Sequence, residues 1–154
     1  MQFINYFLAS LITFAGLIVG IILIKIAPEE QKPLERYFSI ARIFLLITIF
    51  AFLILFYFKN YLILTISLLL FSFFIEYKMK NKHNLQFIIL GIVFFISSQN
   101  QKLLAIESAL IFLYGVLISS LLYKKETSFK ILLRNSMFLI VANLLYHFSF
   151  LIFR

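Results

Sequence analysis

The sequence predicts an all-α fold: a polytopic transmembrane helix bundle of about six spans. Three observations lead to it. Of the 154 residues, 64% are hydrophobic and 13% are charged, against roughly 25% charged in a soluble domain. The mean hydropathy is +1.07. The apolar residues also come in long runs separated by short polar or basic turns. A helix of about 20 such residues crosses a hydrocarbon core of ~30 Å. All of it reads as one transmembrane domain, residues 1–154.

The first run extends from Phe3 to Ala27 and stops at Pro28. No Lys or Arg precedes it, and it is longer than the roughly 7–15 apolar residues of a signal-peptide core. It therefore reads as a retained first span. The turn Glu29-Glu30-Gln31-Lys32 follows. Two adjacent acids could ligate a divalent ion, but Lys25 and Lys32 flank them and the segment reads as a solvated turn. Pro33 is placed to open the second helix, where its missing N–H costs nothing.

The second span is read as Leu34 to Phe58, closed by the polar pair Lys59-Asn60. The third runs from Tyr61 to Tyr77 and leads into a basic loop, Lys78 to Asn84. The fourth, Leu85 to Ser98, is short, about 21 Å at ~1.5 Å per residue. Whether it crosses fully is open at this point. After the polar run ending at Lys102, the fifth span is Leu103 to Tyr123 and the sixth Ile131 to Phe153. An inverted repeat of three plus three spans would suit this parity, but the two halves share no matching motif.

The basic residues orient the spans. Of 14 Lys and Arg, only Lys59, Lys102 and Arg154 fall on one side. The other eleven gather at the first, third and fifth loops and their flanks. An excess of this kind marks the cytoplasmic side, so the protein is expected in the cell membrane with both termini outside. The net charge of +8 is then a topology signal. The basic loops are expected to meet anionic lipid headgroups, not nucleic acid.

Other chemistry is thinly represented. The chain has no Cys, no Asp and two His. It lacks H-E-x-x-H, a phosphate-binding Gly-rich loop and a Walker sequence. No catalytic residue, metal site or cofactor is expected.

Three constellations remain. In the first span Ala9, Thr13, Gly16 and Gly20 form a stripe of small residues at helical spacing. Such stripes let helices approach closely in lipid. The stripe serves packing within the chain or a homodimer seam; Ser108, Gly115 and Ser119 make a weaker version in the fifth span. Second, Glu107 lies about one turn inside the outer end of the fifth span. An acid there is costly and should face protein or a wet cavity. His147 and Asn143, one turn apart in the sixth span, lie at similar depth, with Ser136 deeper on the same stripe. Gln99 and Asn100 lie on the same side of the membrane. A Glu–His pair could bind a cation or relay protons; interhelical hydrogen bonding is the plainer reading. Third, Arg42 and Glu76 lie at comparable cytoplasmic depth and are read as an ion pair or a lipid-headgroup contact.

The stretch from Gly16 to Phe38, centred on Ile26-Ala27-Pro28-Glu29-Glu30-Gln31-Lys32-Pro33, resembles a segment of small multipass membrane proteins of reduced-genome archaea, themselves uncharacterised. Phe112-Leu113-Tyr114-Gly115 is similar as well. The resemblance covers about a fifth of the chain and implies no activity.

The functional expectation is a small transporter or permease-like protein with an outward-facing polar site at Glu107, His147, Asn143, Gln99 and Asn100. The alternative is a structural or accessory subunit of a membrane complex, partnered by other subunits or a second copy. A lipid-modifying enzyme comes third.

Overall fold

A computed structural model describes residues 3–57, 62–78, 83–123 and 127–152. The helices are α1 (Phe3–Ile26), α2 (Gln31–Tyr57), α3 (Leu62–Lys78), α4 (His83–Ser97), α5 (Gln101–Leu122), α6 (Ser128–Asn135) and α7 (Met137–Ile152). There is no strand among the described residues. Ile and Phe are weak helix formers in water. In hydrocarbon every backbone N–H and C=O needs an internal partner, which a helix supplies within the segment. The all-α expectation holds.

The helix boundaries follow from local chemistry. Ala27 precedes Pro28 and leaves the helical region, with φ −129° and ψ 68°. The steric conflict of a residue with a following proline accounts for this. Pro28–Glu30 then forms one 3-10 turn, and the N–H of Gln31 donates to the Pro28 carbonyl. The chain thus enters α2 at Gln31, with Pro33 inside the first turn and not at its start.

α6 runs into α7 through a single turn residue, Ser136. The Ser136 hydroxyl donates to the Leu133 carbonyl at 2.7 Å and the Asn135 amide to the Ile131 carbonyl at 2.9 Å. Side chains that bond back to the preceding turn compete with the backbone ladder there.

The rods alternate in direction. Gly16 of α1 faces Phe112 of α5, and Gly20 faces Val116 and Ser119, so α1 and α5 run parallel. Tyr6 meets Tyr146, and Ser10 meets Asn143, so α7 runs antiparallel to α1. Gln86 of α4 donates to the Ser72 hydroxyl of α3, an antiparallel hairpin contact. At one end the Tyr57 hydroxyl donates to the Ile96 carbonyl at 3.3 Å. At the other the Gln31 amide donates to the Ser120 carbonyl at 2.8 Å.

Among the described residues four helices are long and apolar enough to cross a membrane: Phe3–Ile26, Pro33–Tyr57, Gln101–Leu122 and the α6–α7 run Ser128–Ser149. Thr65–Ile75 and Leu85–Ser97 are shorter apolar helices. The short α4 lies at the centre: Leu90, Val93 and Phe94 have no exposed surface, and Phe87, Ile89 and Ile96 are buried. Its neighbours are α7, α5 and α3. A helix walled by protein has no need to match the hydrocarbon thickness, because its ends meet protein groups.

Large apolar side chains cover the outside, among them Phe44, Leu55, Ile63 and Phe129. A surface of this kind is foreign to soluble monomers and suits lipid.

The tie between α1 and α7 is testable. Tyr6 is fully buried, and its hydroxyl donates to the Ala142 carbonyl at 3.0 Å. Its ring stacks on Tyr146 with centroids 4.2 Å apart. Tyr6→Phe keeps the stack and deletes the hydrogen bond, so it should cost about 1 kcal/mol. Thermal unfolding in detergent measures this. An unchanged midpoint would show that the Ala142 carbonyl does not depend on Tyr6.

Candidate functional site

The turn before α5 decides how deep Glu107 lies. Ser98 and Asn100 close a tight turn on the carbonyls of Phe95 and Ser97. Asn100 then caps α5, its side-chain oxygen accepting from the backbone N–H of Lys102 at 3.0 Å and of Leu103 at 3.3 Å. Asparagine is among the strongest N-caps. Asn100, a candidate ligand in the sequence, is thereby committed to the backbone. Gln99 beside it is exposed.

Because α5 begins at Gln101, Glu107 sits nearly two turns inside it, deeper than a start at Leu103 implies. The Glu107 side chain has no exposed surface. Neither carboxylate oxygen has a hydrogen-bond partner among the described residues. Ile111 and Tyr114 continue the same face at i+4 and i+7, and both are buried. The Tyr114 hydroxyl is also without a hydrogen-bond partner. Its ring meets Phe87 of α4 edge-on, centroids 5.9 Å apart. From α2, Arg42 interacts electrostatically with the phenol. The half-buried Arg42 also lines a small crevice with Ile43, Leu46 and Phe73, between α2 and α3. The Glu76 side chain lies outside the described residues, so its pairing with Arg42 does too.

Glu107 and Tyr114 are seven residues apart, about 10 Å along the axis. With Arg42 beside Tyr114, they set polar groups within a core otherwise made of apolar side chains such as Leu46, Ile49, Phe50, Leu53 and Ile111.

The opposite face of α5 explains why these groups are held where they are. Gly16 and Gly20 bring α1 against the backbone of Phe112 and Val116. Thr13 is buried beside them, its hydroxyl donating to the Ala9 carbonyl at 2.8 Å. Ala9 packs half-buried against the core. The small-residue stripe is therefore filled by α5 of the same chain.

The sixth-span candidates lie elsewhere. Asn143 donates to the Ser10 hydroxyl at 3.2 Å and to the Leu139 carbonyl at 2.8 Å, joining α7 to α1. His147, one turn on, is exposed. α5 packs on α1, α2 and α4, whereas α7 packs mainly on α4 and α1. Neither Glu107 oxygen bonds to a described residue, so Glu107 and His147 make no hydrogen bond. Glu107 shares its buried face of α5 with Tyr114, and it is Tyr114 that Arg42 of α2 approaches.

Tyr114 is the group that depth counting misses. Its signal is the i+7 spacing from Glu107, which puts two polar tips on one buried face. Among the described residues no three His, Asp or Glu side chains converge. Among the described residues Glu107 alone brings an acid into the core, where a carboxylate has to meet a proton or a cation.

No family model, curated protein or solved structure matches the chain.

Proposed function

We propose that the protein is a small transporter or permease-like membrane protein that passes a cation by way of Glu107. One observation carries the reading: a fully buried carboxylate whose two oxygens have no hydrogen-bond partner among the described residues. An acid in a span costs ~2.5–3.5 kcal/mol on insertion scales. A purely scaffolding bundle gains nothing from that cost, since leucine would fill the position. In the same reading the basic loops face the cytoplasm and anionic headgroups, with both termini outside. The Gln31–Ser120 contact brings the start of α2 and the end of α5, both next to basic segments, to one end of the bundle.

The test is flux. Purified protein in lipid vesicles is expected to conduct or exchange a monovalent cation, and Glu107→Gln to reduce the flux to that of empty vesicles. Equal flux in the variant would rule the reading out. If neither protein moves any cation, an accessory subunit becomes the better description.

A further inference from the structure

We infer that the cation is a proton, and that the Tyr114 hydroxyl extends its path from Glu107 toward the Arg42 end of the bundle. This rests on the reading of Glu107 as a cation site and names what the site takes.

The ligand supply decides the class. A metal cation gives up its water only where several oxygens replace it; Ca²⁺ takes about 6–8 and Mg²⁺ about six. Even K⁺ crosses membranes through rings of carbonyls that stand in for its hydration shell. Glu107 offers two oxygens, and no other polar atom among the described residues is in hydrogen-bonding contact with them. Hydroxyls on the neighbouring helices bond back to their own helix carbonyls, and the Gln86 amide oxygen of α4, buried without a partner among the described residues, would add a single ligand. On α1, Ser10 donates to Phe7 and Thr13 to Ala9. On α4, Ser97 donates to Val93 and Phe94. A proton needs one oxygen, and the carboxyl supplies it.

The titratable groups around the site fit a proton path. From α1 comes Tyr6, whose hydroxyl is held by the Ala142 carbonyl. From α2 come Tyr57, bonded to the Ile96 carbonyl at one end, and Arg42 beside Tyr114. The described side chains of α4 add an amide, Gln86, and no acid or base. On α5 the group sharing the Glu107 face is Tyr114, fully buried and with its hydroxyl unpartnered. A phenol offers one donor and acceptor lone pairs, so it can anchor water across the two turns that separate it from Glu107. In transit a proton from water on one side forms an O–H bond at a Glu107 oxygen. That bond breaks as water on the other side takes the proton, and no other covalent bond changes. Tyr114 acts as a positioning residue.

The experiment uses the full chain in vesicles carrying a pH-sensitive dye, with a potassium diffusion potential as the driving force. Wild type is expected to change lumenal pH. Glu107→Gln should lower the initial rate by about a hundredfold or more, to that of empty vesicles, as loss of a positioned proton-transfer group implies. Tyr114→Phe should lower it severalfold while leaving the thermal midpoint in detergent unchanged or higher, since the lost hydroxyl had no partner. A midpoint that falls with the rate would make Tyr114 structural and overturn its place in the path. Sodium or potassium flux that needs Glu107 but leaves lumenal pH unchanged would overturn the proton and keep the cation site. No Glu107-dependent flux of any ion would overturn both.

Discussion

Gly20→Val and Gly16→Val are each expected to destabilise the protein by about 3 kcal/mol, the upper end of overpacking costs. A Cβ on Gly16 would fall on the Phe112 carbonyl and lie 2.9 Å from its carbon and 3.0 Å from its Cα. On Gly20 it would meet the Val116 carbonyl and the Ser119 hydroxyl, with Val116 Cα at 2.9 Å. Backbone cannot rotate away as a side chain can, so α1 and α5 must separate. Gly91→Ala is the control. Its nearest neighbours are the Phe138 carbonyl at 3.1 Å and the Val141 side chain at 3.2 Å, and a small shift between α4 and α7 relieves them at about 1 kcal/mol. Thermal or detergent-titrated unfolding gives the order. If Gly16→Val cost no more than Gly91→Ala, α5 would not be seated on α1. A homodimer seam predicts something else again: altered oligomeric state with monomer stability intact. Because α5 carries Glu107, the glycine variants should also lose flux.

The same helices show what the sequence makes legible. The all-α class and the alternating rods follow from the spacing of apolar runs and turns, because lipid leaves the backbone few alternatives. The stripe Ala9, Thr13, Gly16, Gly20 is visible as a close-approach surface, but periodicity carries no information about which helix fills it. Depth is also readable: Glu107, Asn143 and His147 all fall toward the same end of their spans. Azimuth between helices is not, since it depends on which faces α1 and α4 offer to α5 and α7. That is why Glu107 and Tyr114 are buried together on one face of α5 while His147 faces out. Asn100 had a local signal, an Asn two polar residues ahead of the apolar run that opens at Leu103, close to the pattern of a helix cap. The short Leu85–Ser98 segment is ambiguous by length alone. Burial on nearly every side of α4 resolves its length as that of a central helix.

Glu107→Leu should stabilise the fold and abolish the activity. Folding pays to bury a carboxyl that no group in the described bundle satisfies, and the cost of an unsatisfied buried polar group is about 1–3 kcal/mol, more if charged. Leucine has a similar volume, belongs among Leu103, Leu104 and Ile111, and needs no partner. Apolar replacement of buried ionic groups is often neutral or stabilising by about 1–4 kcal/mol. The expected midpoint is therefore higher than wild type, while cation flux falls to that of empty vesicles. Glu107→Ala removes the same carboxyl but leaves space, so its midpoint should fall below that of the leucine variant. A residue retained against stability is the mark of a functional position. Should Glu107→Leu unfold some 10 °C below wild type (about 2 kcal/mol or more for a helical domain of this size), the carboxyl would have a stabilising partner in the folded protein. The cation site would then lose its physical basis, because a satisfied acid is a structural one.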